Sequence, residues 1–500
     1  MRPAFKRPLH WTEACYNPLR AEIRDFDSLM PHNRAIVIGG SMAGLCAARV
    51  LADFYEHVTI VDRDWYPPGA FERAGVPQSR HVHALLARGR RELEGLFPGF
   101  DRLMLERGAH EINFGVDFAA LRPEGWAPRE GDGIPLLFAS RILLEATIRE
   151  LLCRQFSNIE LVERTDVVGL CAADSVGLRL AGVVIRPRDG GGESKLDGDI
   201  VIDASGRASR APAWFRELGV DPPTETVVDS FSAYASRWFQ APPFDKRPAG
   251  WWWKGIWIDP VEPEFLTGGV LFPVENDRWI ITLAGINRHY PPSDEAGFMV
   301  ALAGLRSPIL AEAVKVATPI SPVYSNRAMA NRWRHYEKWN SSPQRFVALG
   351  DSACAFNPVY GQGMTSGAIS SLILRDTLEQ CGRDDPELAH KFFTAQAKFL
   401  SGPWGMATGA DFRFKDTVGK RRFGSRLLTP YFNAMFQTSL KDARVNRVIG
   451  EVINMLRPPS AFFSPGFALR VIAKSLQRAM RPKAPILKEV PVLPPLAASP

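Results

Sequence analysis

An α/β fold is predicted, in which a Rossmann-like nucleotide-binding domain is interrupted by an inserted mixed β-sheet domain and followed by a helical C-terminal extension. Three observations predict it. A strand, a glycine-rich turn, a helix and a second strand follow one another between Arg34 and Asp62. Two more strand-and-turn segments, ending at Asp203 and at Gly350, recur far downstream. Between them lies an aromatic stretch with strand-like alternation, and the last fifth of the chain is basic and helical in pattern.

The first element is an apolar strand from Ala35 to Ile38, which runs into Gly39-Gly40-Ser41-Met42-Ala43-Gly44 and a helix of small residues. Gly39 and Gly40 permit a tight turn and close approach of a pyrophosphate to the free N–H groups of the helix N-terminus. Gly44 and Ala47 let helix and strand pack closely. The second strand, His57 to Val61, ends in Asp62, 18 residues after Gly44, where a carboxylate can bind ribose hydroxyls. Gly39, Gly40, Ser41, Ala43, Gly44, Asp62 and the adjoining Arg63 are the candidates of this half-site. Ser41 departs from the strict GxGxxG pattern, which has a second glycine there.

The next signals are Leu196 to Asp203 followed by Ala204-Ser205-Gly206-Arg207, and Arg345 to Gly350 followed by Asp351. The latter continues through Phe356-Asn357-Pro358-Val359-Tyr360-Gly361-Gln362-Gly363-Met364 into a helix expected over 365–378. Taken in order, the three segments resemble the fingerprints of the FAD-dependent monooxygenases of the p-hydroxybenzoate hydroxylase fold. That resemblance implies FAD as cofactor, with Asp351 on a ribityl hydroxyl. It places Gly350, Pro358, Gly361, Gly363 and Met364 around the flavin ring, where the helix dipole favours a reduced, anionic flavin. It sets Asp203, Gly206 and Arg207 near FAD and the nicotinamide path, and Arg141, in Ser140-Arg141-Ile142-Leu143-Leu144, on FAD. Taken singly, Asp351 could cap a helix, the 203–207 segment could be a plain turn, and Arg141 could be solvated.

The run Gly75-Val76-Pro77-Gln78-Ser79-Arg80-His81-Val82-His83 is similar to one in the epoxidases of polyether-ionophore biosynthesis (the lasalocid type), which resemble squalene epoxidase. Gln78, Arg80 and His81 are candidates for a loop over the flavin, and a purely structural loop is as good a reading. The resemblance spans about residues 34–400. It implies that reduced FAD takes up O2 as a C4a-hydroperoxide and delivers one oxygen atom, by epoxidation or hydroxylation, to an apolar olefinic or aromatic natural product. NAD(P)H would supply electrons directly or through a partner flavin reductase. Such chemistry asks the protein for a dry, shaped cavity. No catalytic side chain is assigned, and no Ser/His/Asp or Cys/His constellation is visible.

The substrate region is expected over 227–322, rich in Trp and Phe (Trp238, Trp251, Trp252, Trp253, Trp257, Phe272, Trp279), with strands at Gly269–Pro273 and Arg278–Leu283. Most of these rings, taken one by one, read as ordinary core. Halogenases of the same fold use a Lys after the dinucleotide turn and a Trp-x-Trp-x-Ile-Pro strand; this chain has no lysine between Lys6 and Lys195, and Gly268 and Val270 stand where the Trp pair would align. Reduction of isoprenoid double bonds, and a flavin-bearing binding protein, remain as alternatives.

Composition bounds the rest. The chain has 500 residues, 46% hydrophobic and 23% charged, and no apolar run of membrane-spanning length. Six scattered cysteines without a CxxC pair argue against zinc or a disulfide framework and fit a cytoplasmic, reducing compartment. Residues 401–500 carry 16 Lys and Arg against 5 Asp and Glu, whereas the first 400 carry 45 against 49. That surplus suits an anionic membrane surface, an acidic carrier protein or an amphipathic helical cap on the flavin domain, and not nucleic acid. The chain thus divides into an N-terminal extension (1–33), a discontinuous FAD-binding domain (34–115, 136–226 and 323–400) and a substrate domain (116–135 and 227–322). A basic helical region (401–482) and a proline-rich tail (483–500) follow.

Overall fold

The computed structural model describes residues 33–129, 133–173, 179–327, 329–340, 342–421 and 424–479; residues 1–32 of the extension and the proline-rich tail lie outside the described residues. The chain opens with β1 (Arg34–Ile38), α1 (Met42–Leu51), β2 (His57–Val61), α2 (Ala87–Leu96), β3 (His110–Phe114), β4 (Phe118–Arg122) and β5 (Ile134–Phe138). Then come α3 (Arg141–Gln155), β6 (Ile159–Val162), β7 (Ile200–Asp203), β8 (Ala233–Gln240), β9 (Gly255–Ile258), β10 (Thr267–Val274) and β11 (Arg278–Gly285). The C-terminal third adds β12 (Phe346–Ala348), α4 (Gly363–Cys381), α5 (Leu388–Asp411), α6 (Thr429–Ser439), α7 (Ala443–Ile453) and α8 (Pro465–Ala479).

A parallel five-stranded sheet in the order β12-β7-β1-β2-β6 forms the nucleotide domain. Its strands read as continuous apolar runs because helices cover both faces. Register does the positioning. Ile38 pairs with Asp203, and Asp203 with Ala348, so β1, β7 and β12 end side by side and their following turns leave at one edge. The sequence run Leu196–Asp203 is not one strand. It splits at Gly198, where a side chain would meet Ile36 Cδ1 at 2.7 Å, and its first half (Ser194–Asp197) joins a separate antiparallel sheet.

The inserted sheet carries β8-β11-β10-β9-β4 in that order, antiparallel except for the parallel β9–β4 pair. Three expected boundaries shift, each because backbone pairing continues through it. Tyr324–Asn326 pairs with β8, so the insert runs past 322. β5 is one strand and is cut by a boundary at 135, and α5 passes residue 400 without a break. Helices Glu295–Ala303 and Ile309–Lys315 cover one face of the sheet, and there Phe239, Trp253 and Trp279 are ordinary core. Phe118 and Phe272 of the other face join Phe138 of β5 in a second cluster, with Phe138 and Phe272 centroids 4.4 Å apart.

The C-terminal helices have a small core of their own (Met435, Val445, Ile449, Val452, Phe462, Val471). They sit on the insert as well as on the flavin domain, where a cap is one of the expectations. Arg122 of β4 donates to Ser439 Oγ at 2.9 Å and to Asn446 Oδ1 at 3.0 Å, and Gly450 faces Ile134 at a spacing that a Cβ would tighten to 3.1 Å. The nucleotide domain is touched where Asn454 accepts the N–H groups of Ala87 and Arg88, capping the start of α2. α8 keeps Leu469, Ile472 and Leu476 exposed. No helix among the described residues is long and apolar enough to cross a membrane.

Candidate cofactor site

Glycine is required at the first turn by contact, not by composition. Gly39 has φ +96°, and a Cβ on Gly44 would lie 1.8 Å from the Gly39 carbonyl oxygen. α1 therefore rests directly on the end of β1. The other two turns close on this one. The Leu349 N–H donates to Asp203 O at 3.1 Å, Gly206 N–H donates to Ser352 Oγ at 2.8 Å, and a Cβ on Gly350 would meet Ala43 Cβ at 2.7 Å.

Around Ser41 stands a buried ionic network. Arg141, held by the first turn of α3, donates to Ser41 Oγ at 2.9 Å and to Glu145 at 2.6 Å. Arg73 donates to Glu145 at 2.6 Å, contacts Asp64 at 3.2 Å and stacks over Tyr66 at 4.3 Å. Burial opposes ionisation of Glu145, but Arg141 and Arg73 outweigh it and hold its pKa at about 2. Both guanidinium groups are paired with Glu145, and Arg73 also faces Asp64 and Asp62, so Arg73 braces the turn from inside while Arg141 reaches Ser41 at its rim. Asp62 is engaged within the protein: its carboxylate accepts from Gly40 N–H at 2.6 Å, Asp64 N–H at 2.8 Å and Tyr66 OH at 2.7 Å. A ribose at this edge has to share the carboxylate with the Tyr66 hydroxyl. Arg63 is exposed.

Asp203 also turns inward, accepting from Ser205 N–H at 3.0 Å and Ser352 Oγ at 3.2 Å. Arg207 bonds the carbonyl oxygens of Ala330 and Phe356. Both brace the loops. Asp351 differs. Its carboxylate has no hydrogen-bond partner among the described residues, and burial raises its pKa while Arg207, Arg141 and Arg334 oppose the rise. Pro358 and Gly361 (φ +66°) turn the following loop, and α4 starts at Gly363 and Met364 with no side chain capping its first N–H groups. Asp411 pins that loop through Tyr360 OH at 2.6 Å and Asn357 at 3.2 Å; burial lifts its pKa to about 6.

FAD fits these residues: a half-buried carboxylate without a hydrogen-bond partner among the described residues, an uncapped helix start and a glycine turn with Arg141 beside it converge on one edge. The 77–81 loop goes elsewhere. Gln78 is exposed, and Arg80 pairs with Glu72 at 3.2 Å. His81 docks on the insert through Ser236 Oγ at 2.7 Å. His83 bonds back to His81 O at 3.1 Å, and burial and Arg141 push its pKa down to about 3. Among the described residues, no group of His, Cys, Asp and Glu could hold a metal ion.

The His81 contact has a pH signature. Burial, and then Arg80, lower its pKa from 6.5 to about 4. An imidazole kept neutral in this way stabilises the fold above pH 6.5 and loses that contribution as pH falls towards 4. The full swing is at most about 3 kcal/mol. Urea unfolding at about pH 7.5 and about pH 4.5 is expected to show a smaller acid loss in His81→Gln than in wild type; equal losses would remove His81 as the cause.

No protein-family model matches the chain. Protein Rv3254 of Mycobacterium tuberculosis is 33% identical over 396 residues, covering 77% of this chain and 81% of that protein. The chain belongs to the Rv3254 family. Solved structures show which fold this Rv3254-family chain shares. The flavin-dependent brominase Bmp2 superposes with TM-score 0.63 over 90% of this chain and 100% of its own, at 12% identity. The p-nitrophenol 4-monooxygenase PnpA of Pseudomonas putida DLL-E4 gives TM-score 0.60 over 86% and 98%, at 17% identity. The Rv3254-family chain thus has the fold of the FAD-dependent monooxygenases.

Sequence reasoning missed Arg73, Tyr66, Glu145 and Asp411. Glu145 had a signal, since it stands i,i+4 from Arg141 on an expected helix. Tyr66 reaches Asp62 only four residues away but in a loop without a period, and Arg73 and Asp411 meet Glu145 and Tyr360 over long range.

Proposed function

We propose that this Rv3254-family chain is an FAD-dependent monooxygenase that transfers one oxygen atom from O2 to an apolar substrate, by epoxidation or hydroxylation. The observation that carries this reading is the meeting of three distant turns around the unpartnered carboxylate of Asp351. FAD, when bound, supplies the redox and oxygen-activating chemistry. The chain's own residues hold and shield it. The Gly39–Gly44 turn with Arg141 would take the pyrophosphate, and Asp351 a ribityl hydroxyl. The free N–H groups at Gly363 and Met364 would stabilise negative charge on the ring. Phe118, Phe138 and Phe272 offer an apolar, water-excluding wall to the substrate. Electrons would come from NAD(P)H, directly or through a partner flavin reductase.

The test is optical. Purified protein should be yellow, bleach with dithionite under nitrogen, and regain its visible band when oxygen returns. A protein that stays colourless after incubation with FAD overturns the reading. One that bleaches but is not reoxidised by oxygen points to the reductase chemistry instead.

A further inference from the structure

We infer that the half-open pocket lined by β4, β5 and α7 is the substrate site and selects a carboxylate on a small apolar body; this rests on the monooxygenase reading above. The cavity measures about 170 Å³, and a dry cavity of about 150 Å³ admits benzene. One ring or a short branched chain therefore fits within it. Phe114, Phe118, Ala120 and Ile134 are among its apolar lining, and Arg122, Arg444 and Arg447 line it with charge.

Arg122 decides the ligand's charge. It is 8% exposed, yet its guanidinium donates only to the neutral oxygens of Ser439 and Asn446, with no carboxylate at ion-pair distance among the described residues. Asp259 and Glu124 act on it from further away, and Asp259 itself accepts from Trp257 Nε1 at 2.7 Å. A buried cation with neutral partners is unfavourable alone and receives an anion well. Arg447, on the same rim, pairs with Glu451 at 3.0 Å, and Arg444 is exposed. Through Phe118 the pocket wall is continuous with packing that reaches the loop before α4. Ala84 packs on the Phe118–Phe138–Phe272 cluster, and its methyl lies 3.5 Å from where a Cβ on Gly361 would stand.

The probes are cinnamate and its uncharged counterpart cinnamyl alcohol, titrated into the full chain as purified and followed by calorimetry. Cinnamate is expected to bind roughly tenfold to a hundredfold more tightly, the range for hydrogen bonds to a charged group. Arg122→Met should abolish the preference. Arg444→Glu, on an exposed position that leaves the core intact, should reduce it severalfold. Equal affinities in wild type, including no binding of either probe, or a preference that survives both substitutions, would overturn the acid site. Flavin absorbance of the same samples reports separately on the monooxygenase reading: a yellow protein without acid preference loses only the acid site, and a colourless one that prefers cinnamate loses only the oxygen chemistry.

Discussion

Gly44→Ala is expected to lose the cofactor and more than about 4 kcal/mol of stability, the range in which a single substitution is exceptional. One methyl suffices because its obstacle is main chain. The new Cβ would lie 1.8 Å from Gly39 O and 3.0 Å from Gly39 C. Neither atom can rotate away as a side chain would. Gly39 is itself held at φ +96°, where a Cβ of its own would sit 2.8 Å from Ala204 O. α1 must therefore lift off β1, and the ring of contacts among the three turns opens. Gly405→Ala in α5 is the control: a Cβ there meets nothing within 4 Å, and helix propensity predicts a gain of about 0.5–1 kcal/mol. Urea unfolding with flavin absorbance on both variants tests the contrast. Similar stabilities would show that α1 does not rest on β1 as described.

Asp351→Ala should fold normally and bind FAD roughly tenfold to a hundredfold more weakly, as expected when a charge-assisted hydrogen bond is removed. The asymmetry between fold and cofactor is the informative part. Asp351 makes no hydrogen bond inside the described protein, so removing its carboxylate leaves no orphaned donor, and it lifts the desolvation penalty that raises its pKa. Asp203→Ala should do the reverse and weaken the fold first, since Asp203 is fully buried and holds Ser205 and Ser352. Flavin occupancy by absorbance and melting temperature by scanning calorimetry separate the two. Unchanged flavin occupancy in Asp351→Ala would take this residue out of the site.

What the sequence disclosed was local. Gly39 to Gly44, Asp203-to-Gly206 and Gly350-Asp351 each follow an apolar strand within a few residues, so strand, turn and candidate ligand are legible together. The parallel register that sets Ile38, Asp203 and Ala348 abreast turned those fragments into one place. Side-chain engagement was not legible. Asp62 has the position of a ribose ligand, and only the fold shows Tyr66 and Gly40 already bonded to it. Arg73 and Asp411 find their partners across 72 and 51 residues, beyond any helical or strand period. In the Trp-rich insert the plain reading of the rings as core holds for Trp253 and Trp279, but alternation marks a buried face without saying what buries it, and only the fold shows helices there.

The three turns of the cradle are contributed by residues near 39, 203 and 350 of one chain. Synthesis at roughly 5–20 residues per second delivers them in instalments. The last turn leaves the ribosome only after the whole insert has been translated, so a nascent chain has no place for a nucleotide until most of its length exists. Neither half of the protein, expressed alone, would carry the cofactor, whatever its own solubility.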